Sequence, residues 1–411
     1  MIEPGRSTDN PKHPLQGIFV VEYGVFHAGP GAGAILGDLG AEVVKIEGPE
    51  GDPERYWTKV GSLDLAMPNG ENAIFQFSNR NKRSLCLDIT SDKGRSILER
   101  LVARADVFLT NVRRSTKKKL GIDYETLKAI NSRMIHANVS GYGPEGALSD
   151  LGAFDPLGLA RSGMMFATGD PEPRLLHIGI LDQATAIAAS HAIITALYAR
   201  ERNGSGQEVH VSLYSVGQWI NGVSLMVNSL LGIDPIVPEN RAVHSPLRNR
   251  YRCKDGEWII CTHHPEEKYW TLFCEAIEQG AWLSDPRFAD AESRIINRAA
   301  LIEILDRIFE TRTSEEWMEI FVVRGLMFCP VKRVGDIRND PQALDNRYMV
   351  DFQDPDLGPL RIPGYPIHFS AQTAGTRSLA PVLGQHTTEV LREMGYGDEE
   401  IEALKGEGVI R

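Results

Sequence analysis

Between residues 17 and 140 short apolar runs of strand length alternate with helix-length segments, and this most constrains what the chain can fold into. Ile18-Phe19-Val20-Val21-Glu22 is the first run. Gly29, Gly31 and Gly33 punctuate a turn, Ala34 to Leu39 reads as a helix capped by Gly40, and Ala41 to Glu47 reads as a second strand. Two strands joined through a helix form a βαβ unit, whose strands lie parallel. The pattern repeats with strands at Ser84–Asp88, Asp106–Asn111 and Met134–Ser140, and with helices at Ser91–Arg104 and Tyr124–Ile130. A long helix is expected from Gln183 to Arg202, ended by Gly204-Ser205-Gly206, with Ala184, Ile187, Ala188, His191 and Ile194 on one stripe. A strand over Gln207–Leu213 follows. The fold class expected is α/β, with a large Rossmann-like parallel-sheet domain.

The alternation breaks near Gly222. Tyr251–Cys253 and Glu257–Cys261 around Asp255-Gly256 read as a hairpin, and Lys268–Gln279 and Arg298–Phe309 as amphipathic helices. This predicts a smaller α+β domain. From Asp351 strands return, and the chain closes with a helix over Thr387–Met394. The expected division is 1–222, 223–350 and 351–411, within reach of 411 residues.

A formal charge of −11 argues against general nucleic-acid binding. No apolar run reads as long enough to span a bilayer, and polar Met1–Pro14 reads as a short disordered leader. Five cysteines without close pairs point to reduced thiols in a cytoplasmic protein. His263-His264 with Glu266-Glu267 does not share a helix face and lacks a third ligand at a suitable spacing, so no metal is expected.

Three features bear on chemistry. Asp182, behind Ile178-Gly179-Ile180-Leu181 at the mouth of the long helix, is a candidate carboxylate nucleophile; the alternative is a helix cap. Gly29-Pro30-Gly31-Ala32-Gly33-Ala34 fits a dinucleotide fingerprint, with Glu47 where a ribose-binding acid would sit. The alternative is that the glycines only serve packing, and Pro30 removes an N–H from any phosphate cradle. Two basic runs, Arg80–Ser84 before a strand and Asn111–Lys119 after one, are either solvated faces or anion sites. The second lies where open parallel sheets bind ligands.

Ala28-Gly29-Pro30, the run Leu36–Glu47, Asn79–Leu85, Ala105-Asp106-Val107 with Asn111, Leu120-Gly121, Ser140-Gly141-Tyr142-Gly143 and the tail Pro381–Thr387 together resemble the family III CoA-transferases. That group includes formyl-CoA and carnitine CoA-transferases and the α-methylacyl-CoA racemase. The resemblance covers nearly the whole chain. It implies Asp182 as nucleophile. It implies CoA contacts at His27 and Ala28, at Leu87, Asp88, Ile89 and Thr90, at Asn111, Val112 and Arg113, at Lys119, and at Ser140 to Gly143. It also implies an interlocked homodimer of ring-shaped subunits. CoA and acyl-CoA are substrates, and no covalently bound cofactor is expected.

The chain departs from the family pattern in three places. Gly48 stands where some members place an arginine. Arg241–Arg250 replaces a glycine-rich loop. Ala153-Phe154-Asp155 carries phenylalanine where the racemase branch has histidine, which disfavours the racemase or epimerase alternative. The expected reaction moves CoA from an acyl-CoA, with succinyl-CoA as candidate donor, to an aromatic or dicarboxylic acid. Arg241, Arg248 or Arg250 would hold a far carboxylate, with Trp219, Tyr251 and His244 packing nearby. The glycine turn alone supports an NAD-dependent oxidoreductase.

Overall fold

The computed structural model describes residues 12–167, 169–170, 172–176, 178–235 and 240–411. The leader expected over Met1–Pro14 lies outside them except for its last three residues. The chain forms two compact units, one of Met1–Met165, Pro173–Pro235 and Asp345–Arg411, the other of Phe166–Glu172 and Ile236–Leu344.

The first unit opens with β1 (Phe19–Tyr23), α1 (Ala28–Asp38) and β2 (Glu42–Glu47). A small hairpin of β3 (Lys59–Val60) and β4 (Leu63–Asp64), then α2 (Ala73–Ser78), lead to β5 (Lys82–Cys86). Next come α3 (Asp92–Arg104), β6 (Val107–Thr110), α4 (Arg114–Leu120), α5 (Tyr124–Ile130) and β7 (Ile135–Ser140). They are followed by α6 (Asp155–Arg161), α7 (Ile180–Asn203), β8 (Glu208–Ser212), α8 (Leu213–Ile220) and α9 (Gly222–Leu231). One sheet runs β5-β2-β1-β6-β7-β8 with every pair parallel. Both faces of the sheet are covered, so β1 and β6 carry apolar runs, while Glu22, Lys45, Lys82, His136 and Asn138 put polar groups into the buried sheet. Val20, Val43, Val107 and Leu109 face a core shared with α1, α7 and α8, while Val21, Val44 and Phe108 face α3, α5 and the C-terminal helices. Strand order reverses between β1 and β6, so the loops after them splay apart and leave a crevice.

Gly29, Gly31 and Gly33 lie inside α1 rather than in a turn, and the whole helix is buried. A methyl group at Gly31 would sit 3.0 Å from the Ala186 Cβ of α7, and one at Gly33 would sit 2.0 Å from Glu22 Oε2. Small residues there let α1 pack against the sheet and α7. Glu47, the candidate ribose acid, is taken by Arg55, Nη2 to Oε1 at 2.7 Å. The dinucleotide reading is thereby corrected: these residues are packing and ion-pair elements.

α7 begins at Ile180, one turn before the expected Gln183, after Gly179 at φ +65°. Its buried side is Leu181, Thr185, Ala189, Ile193 and Ala196. Ile187 is 53% exposed and His191 also faces outward, so the expected stripe is offset. Apolar residues ring this helix almost evenly, and only packing picks the inner face. By length and composition α7 could cross a membrane, contrary to the sequence reading. In the fold it is a core helix against α1.

The second unit holds β9 (Arg250–Arg252), β10 (Trp258–Cys261), α10 (Glu266–Ala276), α11 (Ala291–Phe309), α12 (Ser314–Val323) and β11 (Phe328–Pro330). Its sheet is antiparallel, β11-β10-β9, around Tyr251, Phe273, Phe309, Trp317 and Phe321. Two expectations for an acid-binding segment fail here. Arg241 gives both terminal nitrogens to Asp306, at 2.8 and 2.6 Å. Tyr251 is wholly buried and stacks on Phe309 at 4.2 Å. Glu266 and Glu267 both bind Arg294, and among the described residues no His, Cys, Asp or Glu group could hold a metal.

In the first unit, β12 (Met349–Asp354) and β13 (Gly358–Pro363) form a hairpin, and helices Thr387–Glu393 and Asp398–Gly406 pack on the first sheet. The C-terminus bridges Ile410 to Leu87, and the Asp88 N–H donates to Val409 O at 2.8 Å.

Candidate active site

The crevice beyond the carboxyl ends of β1, β6 and β7 opens into a cavity of about 890 Å³. Of the residues singled out in sequence, His27, Ala28, Asn111, Val112, Arg113, Ser140, Gly141 and Asp182 line it. Sheet topology alone explains this gathering, since each sits just after a strand end or at the start of α7.

Asp182 lies in the first turn of α7, inside the helix rather than at its cap. The capping is done by Asp155, whose Oδ2 accepts the N–H groups of Leu181 at 2.6 Å and Asp182 at 3.0 Å. Two consequences follow. These amides are occupied and cannot serve as oxyanion donors. Asp182 also shares its surroundings with a second carboxyl. Burial, then repulsion from Asp155, pushes the Asp182 carboxyl up to about 7. Among the described residues no lysine or arginine pairs with it. Asp155 is itself raised by burial, against the pull of the two amides.

His27 joins α1 to α7. Its Nε2 lies 2.8 Å from Gln183 Oε1 and its Nδ1 2.6 Å from Ser78 Oγ. Burial lowers the ring to about 4, so it is neutral near pH 7. In the tautomer that suits Gln183, Nε2–H donates and Nδ1 accepts. Asn111 clamps the loop after β1: its Oδ1 accepts the Val25 N–H at 2.9 Å and its Nδ2 donates to Val25 O at 2.6 Å. Behind them lies Glu54, buried and pushed up to about 8 by desolvation and by Asp52.

Arg113, Arg114, Lys117 and Lys118 line the cavity, with Asp123, Glu125, Glu145 and Glu208 also in its wall. Lys117 is buried, bonded to Asn138, and shifted down by desolvation. Ser140 Oγ accepts the Gly143 N–H at 3.1 Å and sits 2.8 Å from His210 Nε2.

Of the CoA contacts that the resemblance implies, Leu87 to Thr90, Lys119, Tyr142 and Gly143 do not line the cavity. Lys119 is exposed on α4. Tyr142 and Gly143 shape the loop after β7. Leu87 and Ile89 are buried under the C-terminal helices, and Asp88 Oδ1 accepts the Thr90 N–H at 2.9 Å. They follow β5, the edge strand furthest from the crevice on that side. His177 lies outside the described residues.

Sequence reasoning gave no role to Asp155, Gln183, Glu54 or Phe26. Asp155 and Gln183 stood beside residues already noted, but their contacts span 27 and 156 residues, which no local pattern reveals. Phe26 is one of four described non-glycine residues at positive φ, at +59°. A bulky side chain in that region marks a site under constraint.

A family model described as CoA-transferase family III matches residues 15–387. The (R)-2-hydroxy-4-methylpentanoate CoA-transferase of Clostridioides difficile is 31% identical over 97% of this chain and 99% of its own. The succinyl-CoA:glutarate CoA-transferase of Homo sapiens is 29% identical, covering 97% of this chain and 90% of its own. A CaiB/BaiF family protein from Brucella suis has a crystal structure that superposes with a TM-score of 0.82 at 29% identity, covering 93% of this chain and 100% of that one. With a parallel sheet, a switch-point cavity and these similarities along almost its full length, the chain belongs to CoA-transferase family III.

Proposed function

We propose that this chain moves CoA between carboxylic acids with Asp182 as its nucleophile. The observation that carries the reading is a carboxyl in the switch-point cavity that, among the described residues, no lysine or arginine pairs with. In the proposed cycle an Asp182 oxygen attacks the thioester carbon of the donor, the C–S bond breaks, and CoA thiolate leaves. The product is an aspartyl–acyl anhydride. The thiolate attacks the aspartyl carbonyl, the donor acid departs, and an aspartyl-CoA thioester remains. The acceptor carboxylate attacks that thioester and expels the thiolate. The thiolate then attacks the acceptor's acyl carbon, giving the new acyl-CoA and free Asp182. Each intermediate keeps the activation of the thioester, so water must be excluded. The Gln183 amide, next to Asp182 and held through its oxygen by His27, is the proposed donor for the developing oxyanion.

CoA is placed with its phosphates toward Arg113 and Lys118 and its pantetheine passing His27 and Ala28. Succinyl-CoA is the proposed donor, as relatives named for succinyl-CoA transfer support. Phe154, in the cavity wall, offers no proton-transfer group for a racemase. An interlocked homodimer is proposed as the assembly. It is supported by α8 and α9, where Trp219 is 86% exposed and no residue of α9 is buried. Light scattering at micromolar concentration should give twice the mass of one chain, and a single-chain mass would reject the dimer.

The test of the reaction is turnover by Asp182→Asn with a panel of acyl-CoA esters and free acids. New acyl-CoA should fall by at least ~10³-fold while CoA still binds. Loss of less than tenfold would reject the assignment.

A further inference from the structure

One wall of the cavity carries two aromatic rings, Phe26 and Phe154, with Trp57 packed against both, an arrangement that goes beyond what CoA transfer requires. The Phe26 ring meets Trp57 edge to face at 5.7 Å and Phe154 at 5.1 Å, and Trp57 lies 5.9 Å from Phe154. Phe26 and Phe154 line the cavity with Asp182, beside Ala153 and Leu157. Phe154 immediately precedes Asp155, the carboxylate that holds the first turn of α7. The wall therefore stands next to the reacting group.

The backbone is strained to place it. Phe26 sits at φ +59°, a region bulky residues avoid. Its N–H donates to Asp52 Oδ1 at 3.1 Å, and Asp52 is anchored by the buried Lys45, Nζ to Oδ2 at 3.0 Å. On its other flank Asn111 clamps both polar atoms of Val25. A turn enforced from both sides fixes where the ring points. Large apolar surface is nonetheless left open, with Phe154 49% and Trp57 46% exposed. An enforced conformation with open aromatic surface at Phe154, in the cavity, and at Trp57 beside it matches a ligand with a ring of its own, which gains from edge-to-face contact.

We infer that Phe26, Trp57 and Phe154 form the acyl-selecting wall, and that the acid this chain activates carries a bulky, aromatic group. The inference rests on the transferase reading above and names its substrate class. Arg113, proposed above to face the CoA phosphates, would offer a competing chemistry if it faced the acyl group instead. It packs so close to Gly152 that a methyl group there would lie 2.6 Å from Nη2, and from that place a guanidinium would favour a second carboxylate.

The test compares kcat/KM for 3-phenylpropanoyl-CoA and acetyl-CoA in the wild type, Phe154→Ala and Trp57→Ala. The wild type should favour the phenyl ester at least tenfold. Each variant should lose tenfold or more with it and less than threefold with acetyl-CoA. A merely structural role would lower both equally, and that result overturns the inference. So does a ratio moved by Arg113→Gln and not by Phe154→Ala. If the wild type moves CoA between no pair of acids, the transferase reading has failed. The wall is then judged by calorimetric binding: 3-phenylpropanoyl-CoA should bind at least tenfold tighter than CoA, with the gap closed by Phe154→Ala. Equal affinities in the wild type would overturn it.

Discussion

The two basic runs of this chain look alike in sequence and differ completely in place. Arg80–Arg83 precedes and enters β5 at its amino end. There Arg80 bonds the buried Asp38, Nη2 to Oδ2 at 2.5 Å, and Lys82 bonds the buried Glu22 at 2.8 Å. Arg83 meets Glu42, Glu389 and Glu393. This run is neither a solvated face nor an anion site but part of the core's charge balance. Arg113–Lys118 follows β6 at its carboxyl end, where the strand order reverses, and lines the cavity. The end of the strand decides the role, because the crevice exists only at carboxyl ends. Carboxylates differ in partner: burial raises both Asp38 and Asp182, but Asp38 is bonded by a guanidinium, while among the described residues no lysine or arginine pairs with Asp182.

Breaking the first run should cost the most. Arg80→Ala strands the Asp38 carboxylate in the core and should lower unfolding stability by about 3–5 kcal/mol. Urea denaturation reads this, and a loss under 1 kcal/mol would mean the pair is not structural. Asp182→Asn should do the reverse. The Asp182 carboxyl lies at about 7, above its ordinary 3.8, so ionising it works against the fold. Its favourable contribution is complete below about pH 4 and is lost as pH rises toward 7. The variant should therefore be more stable than the wild type at pH 8, by roughly 1–3 kcal/mol, and equal to it near pH 4. The same shift predicts that kcat/KM of the wild type rises through pH 7, since the proposed nucleophile must be ionised to attack.

Smaller effects belong to the second run. Arg113→Glu should raise KM for acyl-CoA by about tenfold, with stability changed by less than ~0.5 kcal/mol and the effect weakened by salt. Lys119→Glu, outside the cavity, should change KM less than about threefold. Equal effects at Arg113 and Lys119 would place the CoA phosphates along the outside of α4.

The α/β class and the strands of the large sheet were legible because doubly buried parallel strands leave unbroken apolar runs such as Phe19-Val20-Val21. The glycines of α1 were misread as a turn, since sequence cannot show that Gly31 faces Ala186 across a helix contact. The strand Phe328–Pro330 is three residues with a proline, too short to carry a period. Asp182 was legible as a candidate by its place after Gly179. Asp155 as its neighbour was not, because the cap comes from a different helix. Arg241 looked available until Asp306, 65 residues away, was seen to occupy it.

The central claim is that Asp182 becomes covalently acylated. Incubation with acyl-CoA followed by borohydride or hydroxylamine, with peptide mass spectrometry, reads this directly. The account predicts modification of the Asp182 side chain only when acyl-CoA is present, and none in Asp182→Asn. Unmodified Asp182 in an enzyme that is turning over, or an adduct on another residue, would contradict it.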